Sequence, residues 1–365
     1  MTIAVSAQNF FTNNPTGVEF YAREIVKNLS EVCGAEDRII VYVKKLPKNI
    51  QSEAVESLRS QKVFFRELKF RKFFNLLGMA FEARKKRFDA IFCPSSVAPL
   101  FGSKNITTTI HGLEFKNCPQ AYSVSNRLWM DFSTRLSLFL SQKIIVPSLA
   151  TKNDLVKFYK TDPAKIFIIK HGSPTSFQPT EFILKQKNLE QILFLGTLEK
   201  RKGPEVLAEA FERIHIKFPD ASLIFAGPFG LGAEKFLIKI KKSSAKDKIF
   251  LKGYVEEEEK RSLLLRSAIL ALPSKAEGFG LPILEGQASR CAVICSDIEV
   301  LQEVAGDGAL FFKREDPEDL AQKLLDIMMD NEARVRLISN GTKNLERFSW
   351  KESAQKTYHL ISLHA

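Results

Sequence analysis

The stretch AEGFGLPILEG, residues 276–286, sets Glu277 and Glu285 on either side of a Gly-Phe-Gly turn, with Pro282 just behind it. Carboxylates so placed can accept hydrogen bonds from the hydroxyls of a sugar or a ribose. Gly278 and Gly280 let the backbone come close to a ligand in conformations that other residues avoid. A second stretch, GTLEKRKGPE at 196–205, puts Arg201 and Lys202 just before Gly203-Pro204. Proline suits the first position of a helix, where its missing N–H has no partner to lose. Two cations beside a helix N-terminus, with its exposed N–H groups, suit a phosphate or diphosphate. Each piece also has a plainer reading. The basic loop can be merely solvated, and Glu277 can cap the helix while Glu285, expected in its first turn, favours the dipole.

The elements that must position these residues follow from the apolar patterning. In the first half, IAVS, RIIVYV, VFFREL, DAIFCP, NITTTIH, KIIVPS and KIFIIKHG read as strands. Between them lie helical patterns such as GVEFYAREIVKNLSEV, where Val18, Tyr21, Ala22, Ile25 and Leu29 share one face. The second half repeats the alternation with QILFLGT, ASLIFAG, KIFLKGY, AILALPS, AVICSD and GALFF. Apolar strands alternating with helices imply parallel sheets covered on both faces. Two such sets imply two doubly wound domains, joined within residues 172–190, with ligands expected at the carboxyl ends of the strands and in the cleft between the domains. The acidic run at 256–259 reads as the start of a helix. AGPFGLG, 226–232, reads as a connecting loop, and Ser349 with Glu352 as a capping box.

Composition limits the rest. The 365 residues are 45% hydrophobic and 26% charged, enough for a sizeable core and against global disorder. The N-terminus reads as a strand rather than a signal peptide, and no apolar run is long enough to span a bilayer, so a cytoplasmic protein is expected. The five cysteines show no metal or disulfide spacing and read as buried free thiols. Of the net charge of +12, much is local: residues 44–87 hold thirteen Lys/Arg against four Glu. There Phe70, Phe73, Phe74, Leu77 and Phe81 fall at helical spacing beside Arg71, Lys72, Arg84, Lys85, Lys86 and Arg87. A basic amphipathic helix of this kind suits an anionic membrane surface, at about 1 kcal/mol per cation. An ordinary helix packed on the sheet is the alternative.

Taken together, the motifs resemble glycosyltransferase family 4. EGFGLPILE is similar to that family's pair of glutamates separated by seven residues. FLGTLEKRKG resembles its diphosphate loop, and VPSLATKNDLVKFYKTDPAKIFIIKHG its segment near the hinge. SDIEVLQEVAGDGALFFKREDPEDLAQKL resembles the segment after the glutamates, and FSWKESAQKTYHLI its closing helix. PTGVEFYAREIVKNL resembles its glycine loop, through Gly17, and TTIHGLEF its histidine strand, through His111. Gly112 stands where the family usually has aspartate, and Arg290 and Ala292 replace a usual glycine and proline.

The resemblance implies the GT-B fold: two Rossmann-like, doubly wound parallel-sheet domains facing each other across a cleft. The boundaries expected are 1–175 for the acceptor domain, 176–348 for the sugar-nucleotide domain and 349–365 for a helix crossing back. It implies transfer of a hexose, with retention, from a nucleotide-diphosphate sugar to a hydroxyl of a glycan or lipid-linked acceptor, in surface polysaccharide or lipopolysaccharide synthesis. The catalytic set that the resemblance implies is Glu277, His111, Arg201 and Lys202. Gly17, Arg201, Lys202, Glu277, Gly278, Phe279, Gly280, Leu281 and Glu285 are the residues it implies for binding the donor. GDP-mannose is the favoured donor, with no metal and no cofactor. Expected partners are the sugar nucleotide, the acceptor and an anionic membrane surface through residues 62–87, giving a peripheral seat on the inner face of the cytoplasmic membrane. No nucleic acid is expected. The alternatives are a basic nucleic-acid-binding protein and a related enzyme such as a sugar-nucleotide epimerase.

Overall fold

The computed structural model describes residues 1–47, 62–70, 73–102, 105–174 and 187–363. Along the chain run β1 (Thr2–Ser6), α1 (Gly17–Val32), β2 (Arg38–Val43), β3 (Val63–Glu67), a π-helical turn (Phe74–Gly78), α2 (Met79–Lys85), β4 (Ala90–Cys93) and β5 (Ile106–Thr109). Then come α3 (Glu114–Asn117), α4 (Val124–Leu140), β6 (Lys143–Val146), α5 (Leu149–Tyr159) and β7 (Ile166–Ile168). The second half contains β8 (Asn188–Leu195), α6 (Pro204–His215), β9 (Ser222–Ala226), α7 (Ala233–Lys242), β10 (Ile249–Gly253), α8 (Glu257–Arg266) and β11 (Ser267–Leu272). It ends with α9 (Leu281–Ala288), β12 (Ala292–Ser296), α10 (Glu299–Ala305), β13 (Ala309–Phe312), α11 (Pro317–Met329), α12 (Asn331–Asn344) and α13 (Trp350–Ser362).

Every strand run expected from the sequence is a strand, and all pair in parallel. One sheet has the order β3-β2-β1-β4-β5-β6-β7 and the other β10-β9-β8-β11-β12-β13. Both are wound outward from a central pair, β1/β4 in one and β8/β11 in the other. Within the central pairs β4 and β11 are fully buried and almost wholly apolar, as a sheet covered on both faces requires, while β8 becomes apolar and buried only over its second half. At such a central pair the connections leave in opposite directions, so the loops at the carboxyl ends part and open a crevice.

The chain divides into two compact units. One comprises residues 1–112, 124–172 and 349–365; the other comprises 113–123 and 173–348. Within the first unit α13 completes the core: Trp350, Ala354, Leu360 and Ile361 join the apolar cluster of Tyr21, Ile25, Val26 and Leu29 from α1. Gly172 makes room for it, since a Cβ there would stand 2.3 Å from Trp350 Cγ. Ser349 caps the helix by accepting from Glu352 N–H at 3.3 Å. At its other end the Ile361 carbonyl accepts from Asn105 Nδ2 at 2.9 Å, and the Leu360 carbonyl accepts from buried Lys143. A cation there satisfies both an orphan carbonyl and the helix dipole.

One expected element is corrected. The stripe from Phe70 to Phe81 is not a single helix face. Phe73 takes a left-handed conformation, φ 53°, and the helix begins only at Phe74, with a π-turn. Phe74 then lies in the core with Met79 and Ala83, while Phe73 and Phe81 are about half exposed. Arg71 and Lys72 lie outside the described residues. Apolar spacing alone gave no sign of the break, because Phe74, Met79 and Ala83 form a competing buried stripe.

Candidate active site

The second unit brings two loops together at the carboxyl ends of β8 and β11, its central pair. After β8 the chain passes Gly196, forms a turn of 3-10 helix over Lys200–Lys202, and enters α6 through Gly203 and Pro204. After β11 it passes Pro273 and Ser274 and reaches α9 through Gly280. The loops touch through backbone: Lys275 N–H donates to the Arg201 carbonyl at 2.7 Å. Gly203 permits the approach. Its φ is +64°, and a Cβ would stand 2.2 Å from the Pro273 carbonyl oxygen.

Glu277 lies at the centre of this junction, its side chain only 6% exposed. Lys202 Nζ donates to Oε1, Ser274 Oγ donates to the same oxygen at 2.7 Å, and Arg201 Nη1 stands 3.4 Å from Oε2. Burial works against the charge of Glu277, but the charges of Lys202 and Arg201 outweigh it and hold the carboxyl below the usual carboxylate range. Arg201 also donates to the Ala276 carbonyl at 3.2 Å and pairs with Glu199 at 2.8 Å, at an angle too bent for a hydrogen bond. Its burial would lower its basicity, yet Glu277, Glu114 and Glu199 raise it, so the guanidinium stays charged. Glu114 and the partly buried Tyr122 come from the segment 113–123, which packs on this unit through Cys118 and Ala121 against Ala276.

Glu285 is one position beyond the first turn of α9, not within it as expected. Its partner is a residue the sequence reading did not single out. Lys260 of α8 donates to Glu285 Oε1 at 2.7 Å and pairs with Glu257 Oε2 at 2.8 Å. Burial alone would lower the basicity of Lys260, but the two carboxylates raise it. Phe279 is buried and meets Phe348 edge-on at 6.0 Å, so its ring is a packing element of the loop. Gly278 is buried too, Leu281 is partly exposed, and Gly280 holds φ +96° as the N-cap of α9.

Gly17 and His111 belong to the first unit. Gly17 is exposed at the first position of α1, after Thr16, whose hydroxyl and backbone form a capping box with Glu19. His111 follows β5, and its Nε2 lies 2.7 Å from the Pro94 carbonyl oxygen at the end of β4. Its ring meets Tyr21 edge-on at 4.8 Å, and His171 lies 5.5 Å away. Burial, and next His111, push His171 well below its usual range, so it is neutral at physiological pH. Among the described residues no group of three or more His, Cys, Asp or Glu could hold a metal ion, and all five cysteines are buried free thiols.

The two halves of the sequence match two family models, "Glycosyltransferase Family 4" over residues 15–177 and "Glycosyl transferases group 1" over residues 178–344. The chain belongs to glycosyltransferase family 4. Among its relatives in the family is the O-antigen chain mannosyltransferase B of Escherichia coli, 25% identical over 70% of each chain. The serotype-specific mannosyltransferase WbdA of Escherichia coli is 30% identical over 45% of this chain and 20% of its own length. The solved structure of Anabaena HepE with UDP and glucose superposes with a TM-score of 0.76, covering all of both chains at 14% identity. The fold is therefore GT-B, and the chain is a glycosyltransferase.

Proposed function

We propose that the chain transfers a hexose, mannose in the first instance, from a nucleotide-diphosphate sugar to a hydroxyl of a glycan or lipid-linked acceptor, with anomeric configuration retained. The observation that carries this reading is the grip of Arg201 and Lys202 on Glu277 at the carboxyl ends of β8 and β11. The mannosyl donor and a role in surface polysaccharide or lipopolysaccharide synthesis are supported by the names of the two Escherichia coli relatives. GDP-mannose is the donor of choice. UDP-glucose is its main competitor, since HepE is solved with UDP and glucose.

In this reading the bond to the diphosphate breaks as positive charge grows on the sugar. Arg201 and Lys202 take the departing diphosphate, each contact being worth about 2.7–4 kcal/mol in the transition state. Glu277, held ionised, orients sugar hydroxyls and favours the developing cation. Glu285 holds the ribose hydroxyls, Gly17 lets backbone approach the phosphates, and His111 orients the donor sugar or the acceptor. A phosphate oxygen of the leaving group receives the acceptor proton, so the scheme needs no separate base, no metal and no cofactor.

The test is a thermal-shift screen of sugar nucleotides, followed by hydrolysis and transfer assays with each stabilising donor and NMR assignment of the product anomer. GDP-mannose should stabilise and be turned over to an α-linked product. Full turnover by both Glu277→Gln and Lys202→Ala would remove the basis of the assignment.

A further inference from the structure

Three side chains donate to the Glu277 carboxylate, and they are not alike. Lys202 Nζ and Arg201 Nη1 are cations on the loop after β8, while Ser274 Oγ is a neutral hydroxyl on the loop after β11. In the transfer reading both cations turn to the departing diphosphate once the donor is bound. A cation that also serves a phosphate gives up part of its hold on a carboxylate. The hydroxyl of Ser274 has no such second duty, and a hydrogen bond to an ionised acceptor is among the stronger kinds.

The backbone around Ser274 holds that hydroxyl still. Ser274 is fully buried, as is Ser296 at the end of β12. Ser296 Oγ donates to the Ser274 carbonyl. On one side of Ser274 the Pro273 carbonyl stands against Gly203; on the other, Lys275 N–H donates to the Arg201 carbonyl at 2.7 Å. Three successive residues are thus fixed, and a serine side chain on a fixed backbone has only the few staggered positions of one torsion. The grip on the carboxylate is also lopsided. Oε1 accepts from both Lys202 and Ser274, which fills its two lone pairs. Oε2 meets Arg201 only at 3.4 Å, longer than an ordinary hydrogen bond. Oε2 therefore keeps accepting capacity, and a sugar hydroxyl is a donor that suits it.

We propose that Ser274 and Ser296 are positioning residues for transfer: they hold Glu277 through Oε1, so that Oε2 meets the sugar while the two cations turn to the diphosphate. Ser274 acts on the carboxylate directly, and Ser296 acts through the backbone of Ser274. The proposal rests on the reading of Glu277 as the carboxylate that faces the sugar.

The test is steady-state kinetics of the full chain with GDP-mannose, and with UDP-glucose in parallel. Ser274→Ala should lower kcat by about 10–100-fold, the loss of one hydrogen bond to a charged group. Donor KM should stay within about twofold, because Lys202 and Arg201 still hold the carboxylate before the donor arrives. Ser296→Ala should lower kcat by about threefold, and by nothing further when added to Ser274→Ala. Set in Glu277→Gln, Ser274→Ala should cost no more than about twofold, since the group it positions has lost its charge. Urea denaturation of the same variants at neutral pH gives a readout free of activity: Ser274→Ala and Glu277→Gln together should destabilise less than the sum of the two alone. A kcat for Ser274→Ala within about twofold of the wild type, a rise in KM in place of the fall in kcat, or additivity with Glu277→Gln in either measurement would overturn the proposal. Full turnover by Glu277→Gln would instead remove the reading beneath it. If neither donor is turned over, the urea cycle decides alone. If Ser274→Ala does not fold, Ser296→Ala takes its place in the cycle with Glu277→Gln, and additivity there overturns the proposal equally.

Discussion

Lys202 and Glu277 are 75 positions apart in the sequence, yet they form a direct ion pair where β8 and β11 end side by side. The pair is a product of topology. Only the central pair of a doubly wound sheet sets the ends of strands so distant in sequence next to one another while their helices leave in opposite directions. The carboxylate is buried between two cations, and their charges hold it ionised against the effect of burial.

Glu277→Gln should keep the shape of the loop and lose the charge. We expect kcat to fall by about 10²–10³, the cost of removing one preorganised electrostatic group. The falls in kcat and in kcat/KM should match, because the lost interaction matters most as the sugar becomes cationic. Steady-state kinetics with the best donor checks this, with circular dichroism to confirm the fold.

The same residue shapes stability against pH. In the unfolded chain Glu277 titrates near 4.3, as glutamates ordinarily do. In the folded chain Lys202 and Arg201 hold it lower, despite the opposing effect of burial. Its contribution is therefore fully present above the unfolded value and is lost as pH falls through the folded one. Denaturant titrations from neutral pH downward should show a steeper acid loss for the wild type than for Glu277→Gln, whose curve should be flatter below about pH 4.3.

Gly203→Ala should destabilise the second unit by about 3 kcal/mol, since it combines a positive φ with a collision against backbone that has nowhere to move. Chemical denaturation measures it. A small loss, of about 0.5 kcal/mol, would mean that the two loops can separate without cost.

Lys260→Met removes the partner that fixes Glu285. We expect donor KM to rise by about tenfold with kcat within about twofold, the pattern of weaker uniform binding. Lys260→Arg should restore most of it. Comparing nucleotides with and without a ribose 2′-hydroxyl separates positioning from folding: the preference for the hydroxyl should shrink in Lys260→Met and persist in the arginine variant.

The strands were legible because each is an apolar run too short for a helix and is followed by a helical pattern. Gly203-Pro204 and the glutamate pair were legible because loop chemistry at strand ends is concentrated in a few residue types. Lys260 was not legible. It follows an acidic run that reads as a helix start, and only the fold brings it within reach of Glu285. Ser274 was passed over because one serine after a strand carries no signal by itself. The stripe from Phe70 to Phe81 misled for the opposite reason: its spacing was good, but core demand at Phe74, Met79 and Ala83 broke the helix first. On α4 the small polar Ser133, Thr134 and Ser137 are buried while Val124, Leu128, Phe132 and Phe139 are exposed, which was hidden because spacing tells that a face is apolar and not which way it turns.

The placement of residues 349–365 in the first unit bears on how the chain matures. During synthesis the second unit, 173–348, emerges with all of its strands before α13 appears. It can assemble on the ribosome, whereas the first unit must wait, its α1 flank bare where Trp350, Leu360 and Ile361 will lie. The first unit is thus the last to become native, and through that interval its unfinished apolar surface stays exposed to misassembly.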